Sequence, residues 1–290
     1  MNYRHAFHAG NFADVVKHVV LARILAYLGR KHAPYRVIDT HAGAGLYDLQ
    51  GDEARRTGEW EGGIGAVLRH SFAPDIAALL APWLEAVRAV NPPAEDATLA
   101  ADLRHYPGSP LIAQALTRPQ DRLLFCETVA GVRDALAESV GRDARAKVLV
   151  TDAWQALHAY LPPKERRGLV LVDPPFEEPG EFHRLAQGLI EAHRRWSTGI
   201  YALWYPIKDV RAVDAFRREI ERAGIPKTLS VQFDLRAVRQ ADTMTGCGMI
   251  IVNPPFTLAE ELRALLGALA PVLATDGTGR ARVGWLTPER

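Results

Sequence analysis

Carboxylates at the ends of apolar runs are the residues best placed to do chemistry in this sequence. The clearest case is Gly168–Phe176, GLVLVDPPF. Four apolar residues, Leu169–Val172, read as a buried strand that ends on Asp173. Two prolines then stiffen the turn, because they restrict φ and carry no N–H. Such a turn can hold an amine between the Asp173 carboxylate and the Pro174 carbonyl, while Phe176 offers a flat ring to a planar base. Three more acids end or follow apolar runs: Asp39 after Tyr35–Ile38, Glu127 after Arg122–Cys126, and Asp152 just past Ala146–Val150. Helical stretches separate the runs, and open α/β sheets bind ligands outside the carboxyl ends of their strands. Each acid alone reads as a turn or cap residue; four in this order point at one sheet edge.

Asp39 opens the loop Asp39-Thr40-His41-Ala42-Gly43-Ala44-Gly45, whose small residues let a ligand approach the backbone. The loop lacks the GxGxxG spacing of dinucleotide sites, which weakens a nicotinamide reading. The set suits methyl transfer from S-adenosylmethionine. The Ala42–Gly45 backbone would carry its methionine part, Glu127 would accept from the ribose hydroxyls, and Asp152 would accept from the adenine amine. Asp173 and the Pro174 carbonyl would then favour positive charge developing on a target N6 amine. A target adenine must be unpaired or flipped to reach them. Met249–Phe256, MIIVNPPF, echoes the catalytic turn. Chain order favours Asp173, whose strand directly follows those of the other acids.

The elements that must position these groups begin with a helix. Asn11 caps it, with Asp14 in the capping-box position, and it runs to about Gly29. Lys17 and His18 lie in its first turns; Lys17 read alone is equally a solvated lysine. Residues 46–110 interrupt the strand rhythm and read as a small helical insertion. Gly51–Glu61 is charged and loose, helices lie around Ile64–Leu68 and Ile76–Val87, and Leu103–Leu111 returns the chain to the core. Ser109 is by default a helix cap. After Phe176 the pattern gives a helix, an aromatic strand Thr198–Tyr205, the helix Val210–Ala223, strands Thr228–Leu235 and Gly248–Val252, a helix Glu260–Leu273 and a short final strand at Gly284–Leu286. The expected fold is α/β: a Rossmann-like, mostly parallel, seven-stranded sheet in one 290-residue domain, with residues 1–30 contributing to the site.

The 35 basic and 34 acidic residues leave a formal charge of +1, so nucleic acid is neither advertised nor excluded. Candidate phosphate contacts are Arg4, Arg55, Arg56, Lys164, Arg166, Arg167, Arg194 and Arg195. Cys126 and Cys247 sit in apolar contexts and read as buried thiols. No leader and no bilayer-crossing stretch is evident, which leads to a cytoplasmic expectation with no membrane partner. A metal site on His5, His8, His18 and His41 has no recognised spacing behind it, so none is expected.

YRHAFHAGNFADVVKH at 3–18, DTHAGAG at 39–45, YPGSP at 106–110, DPPF at 173–176, GIYALWYP at 199–206 and the GMIIVNPPF ending together resemble the RlmJ family of 23S rRNA adenine-N6 methyltransferases. The resemblance runs over nearly the whole chain. It implies a class I S-adenosylmethionine-dependent fold with S-adenosylhomocysteine as product. It also implies one adenosine of 23S rRNA as target, protein-free or in an early assembly intermediate; the enzyme is expected to be a monomer. It assigns Lys17, His18, His41, Gly43, Ser109, Glu127 and Asp152 to the cofactor side, Asp173 to the target amine, and places Tyr3, His5 and Lys17 near the reaction centre. Phe176 departs from the tyrosine of many relatives, keeping the stacking face without the phenolic hydroxyl. Thr128 and Val129 stand where the family pattern has a histidine–proline pair. Rival readings are an amino-methyltransferase for DNA or for a protein glutamine, which could use the same turn, and a non-catalytic RNA-binding scaffold.

Overall fold

A computed structural model describes residues 4–92, 99–100, 102–236, 244–274 and 276–288. Ten strands occur among them: β1 (Arg36–Asp39), β2 (Leu46–Asp48), β3 (His105–Pro107), β4 (Arg122–Cys126), β5 (Ala146–Leu149), β6 (Gly168–Val172), β7 (Ile200–Ile207), β8 (Thr228–Asp234), β9 (Gly246–Val252) and β10 (Arg280–Thr287). The main sheet has the order β10-β8-β9-β7-β6-β1-β4-β5. β5, β4, β1, β6 and β7 run parallel, as helical crossovers require. β9 lies antiparallel between β7 and β8. The seven expected strands are thus joined by an eighth. The final segment is longer than its Gly284–Leu286 signal, because Arg280–Thr287 pairs along all of β8.

Helices cover both faces. On one, Leu185, Leu189, Phe216 and Ile220 from the Glu181–Arg195 and Val210–Ala223 helices pack on Val170, Val172, Leu203 and Val252. The other face receives the first helix, Phe12–Gly29, together with Pro74–Ala89, Ser109–Leu116 and Leu258–Leu273. The first helix is buried from Phe12 to Leu25 without a break. A helix enclosed on all sides carries no solvent face, so its polar residues must find partners inside. That requirement creates the site described below.

The stretch 46–110 enters and leaves through paired strands, with Leu46 opposite Pro107 and Asp48 opposite His105. This ribbon was not expected from the return segment, whose strand signal is only three residues long. Buried Asn91 fixes it, accepting from the Arg104 and His105 amides and donating to the Val87 and His105 carbonyls. Gly51–Glu61 is also more ordered than its composition suggests: it forms helices Asp52–Thr57 and Glu59–Gly62. Contacts to the N-terminal segment hold them, as described below.

Candidate functional site

The carboxyl ends of β1, β4, β5 and β6 lie side by side in the sheet, so their acids share one edge. The echo does not. β9 is antiparallel to β7, with Val252 opposite Tyr201 near the start of β7, so Asn253 leaves the sheet at the opposite edge. Its side-chain amide donates to the Ser197 and Gly199 carbonyls, both at 2.8 Å. Strand direction therefore separates Asp173 from its echo more sharply than chain order does.

Asp173 is half-buried and forms a 2.5 Å ion pair with Lys17 Nζ. Lys17 also reaches Asp14 Oδ1 at 2.9 Å. Asp14 accepts from the Gly10 amide at 2.9 Å and binds His5 Nε2 at 3.0 Å. Asn11 caps the helix as expected, accepting from the Ala13 and Asp14 amides. Asp14 is not its capping-box partner. Instead it is a buried carboxylate that ties Gly10, His5 and Lys17 together. The sequence signal for this role was present but ambiguous: an acid three residues after the cap and three before a lysine serves either purpose.

Burial is the largest single influence on both Asp14 and Lys17 and by itself would neutralise them, but the charges and hydrogen bonds around each together outweigh it. The Asp14 carboxyl is held well below its ordinary range: burial raises it, and His5 and Lys17 more than offset that. Burial lowers Lys17, yet Asp14 and Asp173 hold its ammonium well above the usual lysine value. The lysine is therefore a fixed cation and not a base. It is also not the solvated lysine its sequence context allowed.

His5 stands edge-on to Tyr47, with ring centroids 5.0 Å apart. Tyr3 lies outside the described residues. The insertion helices grip this segment: Thr57 donates to the Phe7 carbonyl, Arg4 pairs with Glu53 at 2.8 Å, and Glu59 receives His8 and Asn11. His18 is enclosed. Its Nδ1 meets the Tyr106 hydroxyl at 2.8 Å, while Nε2 has no hydrogen-bond partner and faces Asp14 at 4.0 Å. Burial pushes its pKa down to about 3, so it is neutral.

The loop after β1 is built around Asp39, which is 1% exposed. Asp39 accepts from the Ser109 hydroxyl at 2.6 Å and from the His41 amide at 3.2 Å. Ser109 is thus not a cap: Gly108 occupies the N-cap of its helix, and the hydroxyl secures a buried acid instead. Burial raises the Asp39 carboxyl to about 6. His41 Nδ1 pairs with Thr40 Oγ1 at 2.9 Å, and burial lowers the imidazole to about 4. Gly43 adopts φ +64°, and a Cβ there would collide with the Tyr47 hydroxyl. Its amide donates to Glu127 Oε2 at 3.1 Å, while Glu127 Oε1 accepts from Val129. Glu127 is therefore anchored to the Gly43 loop, and the Thr128-Val129 departure contributes a backbone amide. Asp152 Oδ1 caps the Ala153–Tyr160 helix through the Trp154 and Gln155 amides.

In the catalytic turn, Phe176 takes φ +51°, a left-handed conformation uncommon outside glycine, asparagine and aspartate. Its ring stands edge-on to Phe182 at 4.9 Å and to Trp204 at 6.1 Å. Such outliers gather where surrounding packing over-determines the backbone. Both cysteines are free and buried. Among the described residues, no group of three or more His, Cys, Asp or Glu side chains is arranged to hold a metal ion, and no helix is long and apolar enough to cross a membrane.

The residues fit S-adenosylmethionine by their chemistry. A left-handed glycine loop permits close backbone approach, and acceptor-only carboxylates Glu127 and Asp152 stand beside it on the same edge.

Comparison with known proteins identifies the family. A family model described as ribosomal RNA large subunit methyltransferase D, RlmJ, matches residues 32–287. The chain is 39% identical to ribosomal RNA large subunit methyltransferase J of Escherichia coli and 37% identical to that of Haemophilus influenzae, each over 100% of both chains. A crystal structure of a Legionella pneumophila protein, 32% identical, superposes with a TM-score of 0.85 over 96% of this chain and 98% of its own. A Corynebacterium glutamicum protein described as a probable spermidine synthase, 13% identical with a TM-score of 0.51 over 92% of this chain and 74% of its own, shares the fold alone. With that coverage, and with a proline turn, glycine loop and acid-lined sheet edge in the expected places, this chain belongs to the RlmJ family of ribosomal RNA large subunit methyltransferases.

Proposed function

We infer that the protein transfers a methyl group from S-adenosylmethionine to the N6 amine of an adenosine in 23S rRNA, leaving S-adenosylhomocysteine. The observation that carries the reading is Asp173 at the carboxyl end of β6, on the edge shared with the Gly43 loop, within a full-length family match. A bound S-adenosylmethionine supplies an electrophilic methyl group. The chain's own residues supply orientation and charge. Asp173 and the Pro174 carbonyl accept from the amine, and Phe176 stacks on the adenine. Carboxylate and carbonyl together favour the positive charge that develops as the nitrogen lone pair leaves the ring. Holding amine and methyl in line is the second contribution.

Lys17 has a defined part in this scheme. It occupies Asp173 until the amine arrives, and Asp14 keeps the ammonium paired when Asp173 turns to substrate. Without Asp14, releasing Asp173 would leave a buried unpaired cation, a costly state. His5, next to this cluster, and Tyr3 complete the substrate side. Gly43, Glu127, Asp152, His41 and Lys17 form the cofactor side, with His18 and Ser109 behind them as supports. Residues 46–110 act as an inserted lobe within one methyltransferase domain, and residues 1–30 belong to the site. Protein-free rRNA or an early assembly intermediate suits a flipped adenine, which an assembled particle would enclose. The enzyme works as a monomer in the cytoplasm.

Tritium transfer from labelled S-adenosylmethionine tests the reading. Incorporation into protein-free 23S rRNA is expected, mapped to a single N6-methyladenosine. Equal labelling of duplex DNA or of a protein glutamine would overturn it.

A further inference from the structure

The edge of the sheet opposite Asp173 carries a feature that the methyl-transfer site does not use. Phe256 ends the echo turn and is 81% exposed. Among the described residues it is the most exposed of the large hydrophobic side chains. Its ring stands edge-on to Tyr27, with centroids 5.8 Å apart, and the Arg30 guanidinium lies 5.5 Å from the Tyr27 centroid. A cavity of about 300 Å³ opens beside it, lined by Tyr27, Lys31 and Phe256. Lys164 and Arg166, both exposed, lie in the turn that leads into β6 at this same edge.

Charge separates the two edges. The catalytic edge gathers Asp39, Glu127, Asp152 and Asp173, which repel phosphate. At the opposite edge two acids are paired, Glu165 with Arg36 at 3.0 Å and Glu261 with Arg23 at 2.9 Å and with Arg30 at 4.0 Å, while Glu260 is exposed. With a formal charge of only +1 overall, attraction for a polyanion must come from local patches.

We propose that this opposite edge is a second contact for the RNA substrate, where Phe256 stacks an unpaired base and Lys31, Arg30 and Arg166 hold its phosphates. The proposal rests on the rRNA methyltransferase reading and deepens it by defining the length of RNA engaged. Stacking on an exposed ring beside cations is the usual means of binding single strands without sequence choice. Asp173 follows Val172, which lies opposite Leu203, and Asn253 follows Val252, which lies opposite Tyr201. The two turns are about 13 Å apart along the strands and open on opposite ends of the sheet, so an RNA seated at Asp173 must continue around the body to reach Phe256.

The test compares full-length protein-free 23S rRNA with a short hairpin holding the target adenosine. Phe256→Ala should raise KM on the long RNA about five- to tenfold and leave the hairpin kinetics unchanged, and Phe256→Trp should restore the long-RNA value. The double variant Lys31→Glu and Arg166→Glu should reduce the slope of log binding constant against log salt by about two on the long RNA only. Equal effects on both RNAs, or none on either, would overturn the proposal. So would a concentration-dependent dimer of the wild type that Phe256→Ala dissociates, because the ring would then be covered by a second copy. A wild type that methylates neither RNA would sink the methyltransferase reading itself.

Discussion

Two turns of this chain read Pro-Pro-Phe after an apolar strand, and they have become different structures. In the first, Asp173 is half-buried and paired with Lys17, and the left-handed residue is Phe176, at the end of the turn. In the second, the left-handed residue is Asn253, at the start, and its amide is spent on two backbone carbonyls. One turn follows a parallel strand and meets the glycine loop; the other follows an antiparallel strand and emerges on the far side. Similar residues thus acquire different chemistry from strand direction alone. A short motif has no edge of its own until the sheet order is set.

The largest expected effect breaks the comparison outright. Asp173→Ala should lower methylation of 23S rRNA by at least about 100-fold, the scale of removing a preorganised charge-stabilising group, while circular dichroism stays unchanged. Asn253→Ala should leave the rate at saturating rRNA unchanged. It should cost about 1–3 kcal/mol in urea unfolding, because two carbonyls lose their donor. If Asn253→Ala were instead the variant that abolished turnover, the two edges would have been assigned the wrong way round.

Next comes the support under the first turn. Asp14→Asn should lower kcat about 10- to 100-fold, from the loss of a charge-assisted bond worth about 1.5–3 kcal/mol. It should also draw the basic limb of the pH–rate profile downward, because Lys17 loses one of the two carboxylates that hold it charged. A lowered melting temperature with an unmoved pH profile would mean that Asp14 only stabilises the fold.

A smaller effect concerns pH and stability. His18 and His41 titrate near 3 and 4 in the folded protein, below the ordinary 6.5. As pH falls from 6.5 toward 4, the unfolded chain binds protons that these buried rings refuse, so stability drops. Asp39 works the other way. Its folded value near 6 lies above 3.8, so acidification through that window favours the folded state by one group. The His8–Glu59 pair also opposes the drop, but it is partly exposed and screened by solvent. The urea midpoint should fall between pH 6.5 and 5, and His41→Gln should make the fall shallower. A midpoint that rises on acidification would contradict the buried, neutral state of both rings.

The smallest change is Phe176→Tyr, expected to stay within about threefold of wild type, since stacking is worth about 1–3 kcal/mol per base and survives the substitution. A large gain would show that the missing phenolic hydroxyl limits this enzyme.

Much of the fold was legible because the core strands announce themselves. Arg122–Cys126 and the Val210–Ala223 helix were bounded correctly by apolar runs and by Gly224. Edges and hidden partners were harder. Strand direction depends on non-local pairing, so Asn253 could only be ranked, not placed. Ser109 looked like a cap because its partner, Asp39, is 70 residues away. Asp14 was misread for the opposite reason. Its local pattern was satisfied by a cap motif, and only the burial of the whole first helix shows why a carboxylate is needed there.

That enclosed helix has a consequence for how the enzyme is made. Residues 12–25 leave the ribosome long before residues 258–273, yet their cover includes the Leu258–Leu273 helix. The Arg23–Glu261 pair closes a loop of 238 residues. Closing so long a loop must wait until nearly the whole chain is available. Lys17 therefore reaches Asp173 in its packed setting only after residues 258–273 have been made, and a nascent chain short of that helix cannot be an active enzyme.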